Sequence, residues 1–485
     1  MKLNFKAIIS ILGLLLILNG SFMLLCLPVS IYYNDGDWHA LLLSGLITLI
    51  TGLIAYALTK NQSDRGLKKR DGYLVVTLGW LGMSLFGTLP YLISGEIPFF
   101  TDAFFETLSG FTTTGASIIN DIESISKGIL MWRSLTQWIG GMGIIVLTVA
   151  ILPLLGIGGM QLFVAEAPGV TPDKLKPRIT DTAKRLWLIY LGLTVFEAIL
   201  LKIGGMNYFD SINHALTTMA TGGFSTKNAS VAHFTTPFIQ YVIIIFMFLA
   251  GTNFTLTYFG LHGKLKKVWE NEEFRFYFGF TACFTIIVTI VIFLVTDESF
   301  ESSFRDSLFQ IVAIVTTTGY ITADYTGWAP LVTVIIFMLM FVGASAGSTA
   351  GGVKVVRHII LLKNSLLELR RQIHPAAVLP VRLNGKAVTS EITFNVMAFM
   401  IIYFMVFAFG SIIISSLGYD FTTSIGAVAT CLGNIGPGFG KVGPMDNFAF
   451  ISVPGKWLLS FLMLLGRLEL FTVLILFTPY YWTKH

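Results

Sequence analysis

The chain has 485 residues, of which 54% are hydrophobic and only 12% are charged, and its mean hydropathy is +0.76. This charged share is about half of that in soluble domains, which argues against a soluble multi-domain protein. The three cysteines lie in apolar context at irregular spacing and indicate neither a disulfide framework nor a metal site. The net charge of +5 is less informative than the distribution of charge along the chain.

Ten apolar segments are long enough to cross a bilayer, which takes about 20 residues. The first, 7–33, lacks a small-residue cleavage site and is predicted to be a retained helix rather than a signal peptide. The other predicted spans are 39–59, 73–94, 131–156, 186–204, 237–260, 276–296, 329–362, 392–417 and 455–480. The span 329–362 is predicted to be broken internally by the small residues 343–352. Between them lie shorter apolar segments that cannot cross alone: 101–111, 209–219, 305–315 and 422–432.

Each short segment runs into a loop of small residues centred on a glycine. The loops are TTTGAS at 112–117, ATGGFS at 220–225, TTTGYI at 316–321 and CLGNIGP at 431–437. Glycine allows backbone conformations that other residues resist and lets the chain approach an ion closely. Rings of backbone carbonyls from such loops can replace the hydration shell of a cation such as potassium. The predicted ion-binding residues are Thr113, Thr114, Gly115, Thr221, Gly222, Gly223, Thr317, Thr318, Gly319, Asn434, Ile435 and Gly436.

The last eight spans form four units of span, half-helix, loop and span. An acidic residue or threonine recurs 13 residues before a loop glycine in each unit: Asp102, Asp210, Asp306 and Thr423. A residue of this type can cap the first turn of the half-helix. The partial negative charge at the C-terminus of that helix would then point toward the loop and the ion.

The predicted fold is an all-α polytopic membrane protein with four tandem helix–pore helix–loop–helix units around a pseudo-fourfold pore. Two N-terminal peripheral helices precede these units. The predicted boundaries are 1–72 for the N-terminal pair, then 73–185, 186–275, 276–391 and 392–485 for units one to four.

Most of the 32 lysines and arginines fall on one side of the predicted membrane, mainly in the connections 60–70, 174–185, 264–275 and 354–386. The positive-inside rule makes that side cytoplasmic, together with both termini. The opposite side is acidic, and an acidic mouth concentrates cations. The alternative is that the acidic outer side only reflects topology, because the positive-inside rule leaves few basic residues in the outer loops. The predicted location is a bacterial cytoplasmic (inner) membrane, crossed several times.

The sequence does not favour an enzyme. Its seven histidines are scattered, with no HExxH-type pairing. The glycines at 156–159 follow a predicted membrane span rather than a strand, so they do not form a nucleotide-binding fingerprint. No organic cofactor and no nucleic-acid partner are predicted, and any nucleotide control requires another chain.

Several motifs together resemble the TrkH/TrkG/KtrB superfamily of potassium-translocating membrane subunits. They are TTTG at 112–115, GGFS at 222–225, the segment 343–354, NIGP at 434–437 and the pair Gly466-Arg467. The two leading helices and the segment 159–179 are similar to the TrkH branch. The resemblance covers essentially the whole chain and implies potassium uptake, with potassium as the transported ion.

The resemblance also implies a gate. In the superfamily, the segment that matches 343–352 is an intramembrane loop below the filter that obstructs permeation and moves on opening. Close helix packing through small residues is the alternative. Arg467 is expected to act as a positive barrier or, alternatively, to pair with Glu197, and Glu469 is expected on another face of the same helix. The predicted gate residues are Gly343, Gly347, Gly351, Gly352, Lys354 and Arg467.

The implied partners are membrane lipid, a second copy in a homodimer, and a cytosolic nucleotide-binding regulatory ring of the TrkA type. Each loop has one central glycine where tetrameric potassium channels carry TVGYG, which predicts softer discrimination among monovalent cations. A proton- or sodium-coupled potassium symporter, or a sodium-permeable variant of the same fold, stays open as an alternative.

Overall fold

The computed structural model describes residues 3–60, 69–151 and 179–483. The end of the predicted span 131–156, the segment 159–178 and most of the basic connection 60–70 lie outside these residues. The helices are α1 Phe5–Leu25, α2 Leu27–Tyr33, α3 Trp38–Thr59, α4 Lys69–Gly87, α5 Leu89–Ser94, α6 Phe100–Phe111, α7 Lys127–Ile151, α8 Ile179–Ile203, α9 Tyr208–Met219, α10 Pro237–Ala250, α11 Phe254–Leu261, α12 Leu265–Glu270, α13 Glu272–Val295, α14 Phe300–Val315, α15 Pro330–Leu339, α16 Val355–Ile373, α17 Ser390–Ser416, α18 Phe421–Gly433, α19 Val453–Arg467, α20 Phe471–Leu474 and α21 Pro479–Trp482.

Two short strands, β1 Arg382–Leu383 and β2 Lys386–Ala387, form an antiparallel hairpin after α16. Arg382 pairs with Ala387 in this hairpin. Short 3-10 helices occur at Ser230–His233, Tyr325–Gly327, Gly440–Val442 and Ile475–Phe477.

The two leading helices, α1 and α3, pack through glycines that bring their backbones together. A Cβ on Gly13 would lie 2.8 Å from the carbonyl oxygen of Gly52, and a Cβ on Gly20 would lie 2.8 Å from that of Gly45. The Asn19 amide donates a hydrogen bond of 3.1 Å to the carbonyl of Met83 in α4. This buried bond attaches the N-terminal pair to unit one.

Among the described residues, six helical segments are long and apolar enough to cross a membrane, and two bent helix pairs raise this number to eight. The bends are 113° between α10 and α11, and 112° between α19 and the segment that begins with α20. The predicted spans 237–260 and 455–480 are therefore each interrupted by a bend that the sequence did not predict. The predicted span 329–362 is interrupted at its glycine-rich residues as predicted, because α15 ends at Leu339 and helix resumes only at Val355 in α16.

The second span of unit one is interrupted as well, at Gly143, whose φ is 58° and ψ is 170°. Each of the four units thus carries a break in the helix that follows its loop. The hydropathy profile alone does not reveal these breaks, because the residues on both sides of each break are apolar.

The four predicted half-helices are present as α6, α9, α14 and α18. The four predicted caps, Asp102, Asp210, Asp306 and Thr423, are wrong, because each lies inside its helix. Asn207, Ser299 and Asp420 cap α9, α14 and α18 instead. An N-cap must stand just before the helix so that its side chain reaches the N–H groups of the first turn. Asp306 lies inside α14, and α6 begins after Phe99 without a side-chain cap.

Candidate functional site

The four loops share one backbone conformation. In each, a residue just after the half-helix adopts a positive φ: Thr113 (54°), Thr221 (52°), Thr317 (56°) and Asn434 (55°). Two residues later a glycine does the same: Gly115 (80°), Gly223 (77°), Gly319 (73°) and Gly436 (100°). Non-glycine residues with positive φ are uncommon, so their recurrence at one position aligns the loops residue by residue.

The loops meet in a closed ring, which places the predicted ion-binding residues together. A Cβ on Gly115 would lie 2.2 Å from the carbonyl oxygen of Gly222. The corresponding distances are 2.0 Å from Gly223 to Thr318, 1.7 Å from Gly319 to Ile435, and 3.0 Å from Gly436 to Thr114. Each contact joins the glycine of one unit to the residue before the glycine of the next, and the fourth contact returns to unit one. The pseudo-fourfold arrangement is therefore present, and we call the carbonyls of Thr114, Gly222, Thr318 and Ile435 the ring carbonyls.

Side-chain hydroxyls and one amide hold the loops. The hydroxyls of Thr112 and Thr114 are hydrogen-bonded at 2.8 Å, as are those of Thr316 and Thr318. In unit four, the Asn434 amide donates to the Thr114 hydroxyl at 2.9 Å and to the carbonyl of Met463 at 2.9 Å. Asn434 thus links the loop of unit four to that of unit one.

The segment 340–354 packs against the loops through two of the predicted gate glycines, Gly351 and Gly352. The Gly343 N–H donates to the carbonyl of Val353 at 2.7 Å, which closes the base of the segment. The Gly351 N–H donates to the Thr317 hydroxyl at 2.7 Å, and a Cβ on Gly351 would lie 2.7 Å from that of Asn434. Gly347 and Gly352 have φ values of 73° and 63°.

Arg467 and Lys354 hold this segment through its backbone carbonyls. The Arg467 guanidinium donates to the carbonyl of Thr349 at 2.8 Å and to that of Gly140 at 2.5 Å. Lys354 donates to the carbonyl of Ala350 within the segment. Arg467 therefore joins unit four to the segment of unit three and to the second span of unit one.

Two expectations about this region are wrong. Among the described residues, Arg467 forms no ion pair with Glu197. Glu469 does not continue the helix of Arg467, because α19 ends at Arg467 and Glu469 has a φ of 55°. The Glu469 carboxylate instead forms an ion pair with Arg357 of α16.

The comparisons with known proteins agree over nearly the whole chain. Residues 39–484 match the family described as "TrkH: Cation transport protein". The chain belongs to the TrkH family of cation transport proteins. It is 42% identical to the Trk system potassium uptake protein TrkH of Salmonella typhimurium LT2, over 99% of this chain and 100% of that protein. It is 35% identical to TrkG of Escherichia coli K12, over 97% of each.

A solved structure of the TrkH family has the same fold. The crystal structure of the potassium transporter TrkH from Vibrio parahaemolyticus is 37% identical and has a TM-score of 0.89. The match covers 99% of this chain and 100% of that one. Family membership confirms the predictions of a membrane transport protein rather than an enzyme, and of a surface in contact with lipid.

The predictions missed the groups that support the loops of this TrkH family member. The buried Glu106 carboxylate accepts hydrogen bonds from the Arg133 guanidinium at 2.7 Å and from the Ile118 N–H at 2.9 Å. Arg133 also donates to the carbonyl of Ser225 at 3.0 Å and lies 3.5 Å above the ring of Phe224. An acid and a base within apolar segments were a signal that could have found this pair.

Tyr320, which follows the ring glycine of unit three, also lies behind the ring. Its hydroxyl contacts the Thr217 hydroxyl and donates to the carbonyl of His214 at 3.2 Å. The Gly-Tyr pair of unit three thereby braces α9 of unit two.

An acidic cavity of about 330 Å³ is lined by Asp35, Asp37, Glu96 and Glu123. Burial raises the pKa of Glu96 above its usual value. These residues belong to the side that the sequence predicts to be acidic.

Proposed function

We propose that the chain takes up potassium across a membrane through the ring of four loops. The observation that carries this proposal is the closed set of glycine–carbonyl contacts, which brings one carbonyl from each unit to one ring. Carbonyls arranged in this way replace the water around a monovalent cation. The names of the related Trk proteins and of the Vibrio structure point to the same ion.

The proposed ion-binding residues are the loop positions with positive φ and their neighbours. They are Thr113, Thr114 and Gly115; Thr221, Gly222 and Gly223; Thr317, Thr318 and Gly319; and Asn434, Ile435 and Gly436. None of these positions carries a carboxylate. Divalent calcium sites generally use carboxylate ligands, so the composition of the ring favours monovalent cations.

The proposed gate is the segment 340–354 with Arg467. Gly343, Gly347, Gly351, Gly352 and Lys354 give this segment its compact path beside the loops, and Arg467 places a positive charge below them. A cation leaving the ring meets both obstacles. Opening requires the segment to move, which breaks the bonds from Gly351 to Thr317 and from Arg467 to Thr349.

The proposed setting is a bacterial inner membrane with both termini in the cytoplasm. The chain is proposed to divide into an N-terminal pair, 1–72, and four units, 73–185, 186–275, 276–391 and 392–485. It works as a homodimer, and a cytosolic nucleotide-binding ring of the TrkA type controls it from the side where α12 and α16 lie.

The alternative, ion-coupled symport, has one observation in its favour. Glu197 lies completely buried on α8. Acids buried within membrane spans often mark ion or proton pathways.

The test is flux of rubidium, potassium and sodium into proteoliposomes that contain the purified protein, with and without an imposed proton gradient. Rubidium uptake that follows its own gradient and falls in Gly115→Ala or Gly223→Ala supports the proposed pathway. Uptake that requires the proton gradient and is lost in Glu197→Gln would replace it with symport.

A further inference from the structure

One ring carbonyl differs from the other three in its hydrogen bonding. Gln137, completely buried on α7 of unit one, donates from its amide to the carbonyl of Gly222 at 2.6 Å. Its amide oxygen accepts from the Phe224 N–H at 3.0 Å. The two bonds bracket the ring glycine of unit two, and they fix which end of the amide faces which partner.

The other ring carbonyls have no such support. Within 3–60, 69–151 and 179–483, no side chain donates to the ring carbonyls of Thr114, Thr318 or Ile435. The ring is therefore fourfold in its backbone but not in the bonding behind it.

The Gln137 amide also explains a sequence difference between the loops. The residue before the ring glycine is Thr114, Thr318 or Ile435 in three units but Gly222 in unit two. A Cβ on Gly222 would lie 2.3 Å from the Cδ atom of Gln137. The amide thus occupies the space that a side chain fills in the other units.

Arg133, one helical turn before Gln137, adds further contacts between α7 and the loop of unit two. It donates to the carbonyl of Ser225 and lies over the ring of Phe224, while Glu106 compensates its charge. Residues 133 and 137 lie on one face of α7, because positions four apart are neighbours on a helix surface. One helix of unit one therefore holds the stretch 222–225 of unit two.

We infer that Gln137 is a positioning residue that sets the ion selectivity of the ring. The inference rests on the proposed function. Sodium is smaller than potassium, and in the cavity-size account of selectivity the carbonyls must move inward to replace its hydration shell. The Gln137 amide holds the Gly222 carbonyl through one lone pair and leaves the other free for the ion. A carbonyl held in this way cannot move inward to coordinate the smaller sodium ion, so sodium binds less favourably than potassium.

The test compares the ratio of rubidium to sodium uptake in proteoliposomes of the full-length wild type and two variants. Gln137→Met keeps the length of the side chain and removes both hydrogen bonds. Gln137→Glu keeps the acceptor for Phe224 but places an oxygen against the Gly222 carbonyl. The uptake ratio is expected to fall about five- to tenfold in both, because both lose the buried hydrogen bond to the Gly222 carbonyl.

The matched control is Gln240→Met. Gln240 is also a buried glutamine on a second span, but its amide donates at 3.2 Å to the carbonyl of Phe234, away from the ring. Its uptake ratio is expected to equal that of the wild type. Thermal unfolding of each variant distinguishes a change in selectivity from loss of the fold. If Gln137→Met does not fold, the uptake ratio of Gln137→Glu alone tests the inference.

An unchanged uptake ratio in a folded Gln137 variant would overturn the inference while leaving the proposed function intact. A fall in the ratio that Gln240→Met shares would overturn it as well. A wild type that carries no monovalent cation would instead contradict the proposed function itself, before any variant is compared.

Discussion

The four ring glycines leave different amounts of room for a side chain. All have positive φ, which costs an L-residue roughly 1–2 kcal/mol. The contact with the next unit adds a second cost, which is greatest at Gly319, 1.7 Å from a carbonyl oxygen, and least at Gly436, 3.0 Å away. The ring is therefore tightest between units three and four.

This difference predicts that Gly319→Ala impairs rubidium uptake more than Gly436→Ala does. The alanine of Gly319→Ala displaces the Ile435 carbonyl, whereas that of Gly436→Ala meets an oxygen at a distance that a small shift relieves. Gly279→Ala, in α13 with no atom within 4 Å, is the control and should behave as wild type. Equal uptake by the two ring variants would contradict the ring geometry.

A double-mutant cycle tests the packing of Gly222 against Gln137. Gly222→Ala alone should destabilise the protein, because the new Cβ collides with the amide. The collision is absent in Gln137→Ala/Gly222→Ala. In the Gln137→Ala background, Gly222→Ala should therefore lower the free energy of unfolding by at least about 1 kcal/mol less than in the wild type. The measurement is the midpoint of thermal unfolding for the four proteins. If the losses of stability are additive, the Gln137 amide is not the reason why residue 222 is a glycine.

Individual residues differ in how far the sequence could predict them. Thr113, Thr221 and Thr317 could be identified because small residues and glycine recur after an apolar half-helix. Gln137 and Arg133 could not be assigned to the loop of unit two, because about ninety residues of chain separate them from it. The Glu197–Arg467 alternative failed because composition does not tell which buried groups meet.

The break in unit four is the most strained of the four helix breaks. The Phe471 N–H donates to the carbonyl of Glu469 at 2.6 Å, which forms a tight γ-turn centred on Leu470 with φ 54° and ψ −64°. This turn is rare and strained. The ion pair from Glu469 to Arg357 stabilises it, and the Arg357 guanidinium lies 4.0 Å above the ring of Phe399.

Because α16 directly follows the segment 340–354, this ion pair couples the break to the proposed gate. Glu469→Gln should lower the unfolding temperature by several degrees, because it leaves the buried Arg357 guanidinium without its charged partner, at a cost of about 1–3 kcal/mol. It should also raise rubidium flux, because the proposed gate is held less firmly. Glu270→Gln, in the exposed pair with Lys266, is the control. Unchanged stability and flux in Glu469→Gln would contradict the coupling.

Among the elements, the half-helices and most spans could be predicted, because length and hydropathy determine them. The breaks could not be predicted from hydropathy. Asn253, which caps α11 through the Thr255 N–H, was a signal for one of them. The residues 468–470 contain neither glycine nor proline, and the contact of Glu469 with Arg357 of α16 is not visible in the local sequence.

At the scale of the whole molecule, four similar units make a ring that no single unit could form. Glycine–carbonyl contacts repeat around the ring, whereas Gln137 joins units one and two, Tyr320 joins units two and three, and Arg467 joins unit four to units three and one. The repeat could be predicted because the units have the same order of elements. The specialised junctions could not, because each depends on contacts between units far apart in sequence.

The most direct test of the central claim locates the ion. We propose anomalous diffraction from crystals of the full chain grown with rubidium, compared with crystals of Gly319→Ala. The account predicts rubidium on the axis of the ring, within coordination distance of the carbonyls of Thr114, Gly222, Thr318 and Ile435, and its weakening in the variant. Rubidium bound elsewhere in a protein that still transports it, with none at the ring, would contradict the account.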